Sequence, residues 1–148
     1  MMLEMYEILG LLFAVVLGGA IGLEREINGK HAGLRTNIII CLGAAAFTLV
    51  ARRLGVDAPD APGRVAAGIV TGVGFLGAGA LIQEGSGIHG LTTAAGIWLV
   101  ASIGVACGMG YYLLAALTTF LALVALFGLL PITRKIRQRR QHKNGQNQ

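Results

Sequence analysis

The sequence predicts an all-α membrane protein, a five-transmembrane-helix bundle built on a repeated helical hairpin. Three observations predict it. The 148 residues are 55% hydrophobic and only 13% charged, with a mean hydropathy of +0.71, which is not the composition of a water-soluble enzyme. The few charges divide the chain into uncharged runs of membrane-span length. The 23 glycines recur at helical spacing.

The uncharged runs are Ile8 to Leu23, Thr36 to Ala51, Val65 to Gln83 and Gly85 to Thr133. A bilayer core needs roughly 20 helical residues, so each of the first three holds one span and the last holds two. The last run divides at Cys107-Gly108-Met109-Gly110-Tyr111-Tyr112, where two glycines weaken a helix and two tyrosines suit the headgroup level. The fourth span is then expected from Thr92 to Cys107 and the fifth from Tyr111 to Leu130, stopped by Pro131. Residues 1–133 form the membrane domain and residues 134–148 a basic cytoplasmic tail, expected to be disordered.

Lys and Arg set the orientation, because loops rich in them stay cytoplasmic. With the C-terminus inside, Arg25, Lys30, Arg35 and the six basic residues of the tail lie inside, nine of twelve. Arg52, Arg53 and Arg64 then lie outside, as do Tyr6, Tyr111 and Tyr112. The N-terminus is then expected outside. Glu4 and Glu7 replace the basic start of a signal peptide, so the first span is expected to be retained. Cys41 and Cys107 occupy different spans with no CxxC spacing and read as small packing residues.

Glycine serves close helix contact in lipid, where the hydrophobic drive between helices is absent. Ala14, Gly18 and Gly22 lie four apart on the first span, and Gly68 with Gly72 make a GxxxG on the third. Gly79 shares the face of Gly68 and Gly72, whereas Gly77 points the opposite way. The third helix is therefore expected to be touched on two sides and to sit centrally, with the leucine-rich fifth on the lipid-facing flank. Gly72-Val73-Gly74-Phe75-Leu76-Gly77 also satisfies GxGxxG, but inside an apolar helical run no free N–H groups remain for a pyrophosphate.

The loops Glu26 to Thr36 and Glu84 to Thr93 share Glu, Gly, His and Gly-Leu-x-Thr with one deletion, as in a parallel repeat of a hairpin. A repeat would start the second and fourth helices side by side at Arg35-Thr36 and Thr92-Thr93. The candidate functional cluster is therefore Glu24, Arg25, Glu26, Arg35, Thr36, Glu84, His89, Thr92 and Thr93, with Arg64 a polar residue on the other side. Two roles are open to it. The hydroxyls can be helix caps and the charges a neutralised network, or the group can recognise an ion or a partner. Three glutamates are compatible with Mg²⁺, but the neighbouring arginines argue against a metal site. The sequence offers no hydrolytic constellation, no cofactor motif and no folded basic face for nucleic acid.

Four ordered blocks then carry a resemblance: Gly22-Leu23-Glu24-Arg25-Glu26, Ala32-Gly33-Leu34-Arg35-Thr36, Gly72 to Gly79, and Gly90-Leu91-Thr92-Thr93-Ala94-Ala95-Gly96-Ile97-Trp98. They resemble the MgtC/SapB family of bacterial membrane proteins over roughly residues 10 to 130. The resemblance implies a five-span domain linked to magnesium limitation, survival inside host cells and restraint of the F-type ATP synthase. MgtC-type members carry a soluble C-terminal domain after the fifth span, where this sequence has only its tail. Two functions are expected alternatives. One is a regulator acting through contacts with another membrane complex or a second copy. The other is a dimeric transporter of Mg²⁺, another cation or a small solute.

Overall fold

Helix formation follows the charge pattern and overruns it. The computed structural model describes residues 4–82 and 90–128 and contains, among them, five helices and no strand. These are α1 (Met5–Ile27), α2 (Leu34–Leu54), α3 (Ala61–Ile82), α4 (Leu91–Met109) and α5 (Tyr112–Gly128). The first four are long and apolar enough to cross a membrane, and α5 is an apolar helix of 17 residues. Pro131 and the basic tail lie outside the described residues. So do Glu84 and His89.

Helix α1 runs past the charges that bound its apolar run, taking in Glu7, Glu24 and Arg25, all of which are buried. Such charges stay in a helix because partners neutralise them there, so a charge is not a helix end. The true stops are backbone motifs. Gly29 at φ +62° lets Lys30 donate to the Arg25 carbonyl at 2.9 Å, and Gly110 at φ +81° lets Tyr111 donate to Ala106 at 2.8 Å. Both are left-handed glycine caps that close the last turn. Gly108, the other glycine of the expected break, stays inside α4 and packs.

The centre of the bundle is α2 against α1 and α4, and its contacts are made at glycine. A methyl group on Gly18 would lie 2.6 Å from the Cys41 Cβ, and one on Gly22 would lie 2.8 Å from the Leu34 Cα. On the opposite side of α2, a methyl on Gly104 would lie 2.2 Å from the Cys41 carbonyl oxygen, and one on Gly108 would lie 2.6 Å from that of Ala45. Around these contacts Ala14, Ile21, Cys41, Ala45, Val100, Ile103 and Cys107 form a closed apolar core. Helix α5 leans on α1 and α4 through Ala115 and Ala122, while Leu113, Leu117, Phe120 and Leu121 face outward as expected of a lipid-facing flank.

The expected central place of α3 is corrected. Among the described residues no other helix comes within 4 Å of a methyl group built on Gly68, Gly72 or Gly79. Only Gly77 meets a neighbour closely, the Ala94 side chain of α4 at 3.6 Å. Helix α3 is thus a flank, held by α4 and by a thinner contact of Val73 and Ile69 with α2. A GxxxG pattern marks a face able to receive a helix; it does not say whose. The two hairpins nevertheless correspond. Gly33 and Gly90 directly precede α2 and α4, and the residues four positions on, Asn37 and Ala94, each face a glycine of the preceding helix, Gly22 and Gly77.

Gly104→Ala is expected to destabilise the chain by about 1–3 kcal/mol, because a methyl group there must push α4 off α2. Gly72→Ala should leave stability unchanged or raise it by up to about 1 kcal/mol, alanine being the better helix former. Unfolding in dilute detergent checks both. Equal losses would show that the two glycines are equally packed.

Candidate functional site

Polar side chains gather at the two ends of the bundle. At the α1–α2 loop end, Glu24 and Arg25 are adjacent residues whose side chains turn toward each other and are almost fully buried. Arg25 Nε donates to Glu24 Oε2 at 2.5 Å and Arg25 Nη2 to Glu24 Oε1 at 3.0 Å. Asn28 Nδ2 donates to the same Oε1 at 2.8 Å and to the Glu24 carbonyl at 2.9 Å, tying the pair to the end of α1. Arg25 Nη1 is buried and finds no acceptor among the described residues. The guanidinium is a charge-assisted donor, and its Nε and Nη2 grip both oxygens of the Glu24 carboxylate.

Around this pair the other expected members separate. Glu26 is exposed, and its Oε2 accepts the Leu34 backbone N–H at 2.9 Å, so it caps α2 from the end of α1. Gly33 is needed for that reach, since a methyl group there would collide with Glu26 Oε2. Arg35, Thr36 and Thr92 are exposed, while Thr93 is buried at the start of α4. Arg35 therefore does not neutralise the glutamates, contrary to the network expected from sequence; its long side chain lies outside the packed pair. Asn37, which the sequence did not single out, is buried, and its Nδ2 donates to the carbonyls of Ala32 and Gly33 at 2.7 and 2.8 Å. It ties the end of the α1–α2 loop to the first turn of α2.

The opposite end carries a lock that the sequence reading missed. Glu7 is buried and receives both Arg53 Nε, at 2.6 Å, and Arg53 Nη2. The Arg52 guanidinium stands 4.8 Å over the Tyr6 ring and donates to the Gly108 carbonyl at 3.2 Å. The Tyr112 hydroxyl donates to the Tyr6 carbonyl at 2.7 Å, and its ring stacks on Phe13. Three helix ends and the α4–α5 turn are thereby joined. The signal was available: a lone carboxylate at the edge of an apolar run needs a cation, and hairpin topology returns Arg52 and Arg53 to its side. Arg64 takes no part; it is exposed and reaches only Asp60, at 3.4 Å. Among the described residues no three His, Cys, Asp or Glu side chains could hold a metal ion together.

A multi-pass apolar helical bundle with its described charged groups at its two ends defines the class: an integral membrane protein without a soluble domain among its described residues. The family model of the MgtC family matches residues 11–135, and the chain belongs to that family. It is 45% identical over 137 residues to Protein MgtC of Salmonella typhimurium, covering 93% of this chain and 58% of that protein. It is 39% identical over 145 residues to the Escherichia coli K12 protein named "Putative magnesium transporter YhiD", covering 91% and 66%. An uncharacterized Synechocystis protein is 39% identical over 136 residues, covering 92% of the chain and 57% of itself. The chain thus spans less than two thirds of the length of these relatives. No solved structure matches it significantly.

Arg25→Gln is expected to lower stability by about 3–5 kcal/mol, because it strands the Glu24 carboxylate in a buried site. Replacing both partners, Glu24→Leu with Arg25→Met, should recover most of that loss. Arg35→Gln should stay within about 0.5 kcal/mol of the parent, as exposed sites do. Unfolding midpoints of the four chains check the assignment of pair and bystander.

Proposed function

We propose that the chain is a regulatory membrane subunit, tied to magnesium limitation and membrane energetics, that acts through contacts with another membrane complex. One observation carries this reading. Between the Glu24–Arg25 pair at one end and the Glu7–Arg53 pair at the other, the interior is filled by Ala14, Cys41, Ala45, Val100 and Ile103, all buried. Among the described residues no charged side chain enters that layer, and the buried hydroxyls of Thr48 and Thr119 are spent on the carbonyls of their own helices, so a cation there would lack the ligands that replace its water. The polar side chains that remain exposed, Arg35, Thr36 and Thr92, stand at the loop end, where a partner can reach them. By family resemblance the F-type ATP synthase is such a partner.

The second reading is a dimeric cation transporter. It draws on the name of YhiD and on Glu24, a buried carboxylate at the foot of the bundle. The lysines and arginines support an orientation that places the loop end of α1–α2 and residue 148 in the cytoplasm of a bacterial inner membrane, with the Tyr6–Tyr112 end outside.

Purified chain in liposomes is expected to pass no more Mg²⁺ than empty vesicles. In cells, Arg35→Gln should weaken growth at low magnesium while leaving the amount of protein in the membrane unchanged. Mg²⁺ flux that disappears with Glu24→Gln would replace the first reading by the second. Reporter fusions at position 148 should report cytoplasm; an outside signal would reverse the assignment of ends.

A further inference from the structure

The open face of α3 borders an apolar recess on the bundle surface. A groove of about 540 Å³ runs between α2 and α3, walled by Ile39, Phe47 and Leu76 and floored by Gly43, Gly68 and Gly72. Among the described residues, no atom beyond its own helix lies within 4 Å of where a Cβ on any of those three glycines would stand. Phe75, 81% exposed and seven residues on from Gly68, projects beside this floor as a large unburied ring. A knob and a set of holes thus lie next to each other on one helix. Each costs something in isolation, since glycine is the poorest helix former after proline.

We propose that this groove is a homodimer interface, in which α3 of a second copy lies parallel to α3 of the first and seats its Phe75 over the Gly68–Gly72 floor. Charge selects a second copy over a lipid chain or an unrelated helix. The same row of residues spaced by four begins with Asp60 and Arg64, an acid and a base that are 67% and 81% exposed and meet only each other, at 3.4 Å. A two-fold axis along the membrane normal brings Arg64 of each copy beside Asp60 of the other. An isologous contact needs a patch that is complementary to itself, and this face supplies it twice, in charge at its head and in shape below. An acyl chain would have no use for either the paired glycines or the paired charges. Close backbone approach at GxxxG is, by contrast, how helices associate in lipid. The interface concerns assembly and is independent of which function the dimer performs.

The test uses the full chain in liposomes, with energy transfer between copies labelled at the C-terminus reporting dimer. The parent should dimerise, and Gly72→Leu, whose Cβ stands clear of the described atoms of its own chain and whose side chain fills the groove, should reduce the dimer at least ten-fold with an unchanged unfolding midpoint in dilute detergent. Gly72→Cys should form a disulfide-linked dimer on oxidation, whereas Leu121→Cys on α5 should not. Arg64→Asp and Asp60→Arg should each lower dimerisation several-fold alone, and mixing the two chains should restore it, because acid then faces base across the axis only in the mixed pair. A parent that stays monomeric overturns the proposal, including one that carries bound lipid in the groove. So does a Gly72→Leu chain that dimerises like the parent, or a mixed pair no better than either variant alone.

Discussion

Backbone closeness along α2 is the constraint on which the other features depend. Lipid offers no hydrophobic drive between helices, so what holds them is contact area, and contact area grows as side chains shrink. Gly18 and Gly22 of α1 and Gly104 and Gly108 of α4 bring three backbones together with Cys41 and Ala45 between them. That spacing leaves no room for water in the middle of the bundle. It also fixes where the polar groups must go, since a charge cannot enter a seam sized for alanine.

The two ends solve the same electrostatic problem in different ways. Glu7 is neutralised by Arg53, brought from a different helix 46 residues away, so this pair binds α1 to α2. Glu24 is neutralised by its own neighbour in sequence, Arg25, and so binds nothing across the bundle by itself. The first is an architectural lock. The second is a self-contained ion pair backed by Asn28 at the end of its own helix.

Helix α3 stands apart from this scheme. Its glycines are denser than those of α1, yet among the described residues another helix packs against only one of them, Gly77. The MgtC family relatives match across this helix as well, since the family model covers residues 11–135 without a break. The bundle is thus tightly closed on the α1–α2–α4 side and open on the α3 side, and that asymmetry gives the membrane domain a direction in which to associate.

Hydropathy and charge spacing determined the number of helices, and composition determined that lipid is their solvent. These are properties of short segments, legible because each span must satisfy its own backbone and bury its own charges. Gly110 as the break between the last two helices and the family blocks around Glu24 were legible for the same local reason. What only the tertiary structure decided is which faces meet. A GxxxG pattern reads alike whether its partner is α4, another molecule or lipid, so Gly72 and Gly104 could not be told apart in the sequence. Likewise Arg35 stands one residue from Thr36 and near Glu26 in the chain, yet packs with neither Glu24 nor Arg25, because helical rotation carries it to the outside. Glu7 and Arg53 show the converse. Hairpin topology puts Glu7 on the side of Arg52 and Arg53, but which of the two grips the carboxylate and which lies over the Tyr6 ring is set by the three-dimensional register of α1 on α2.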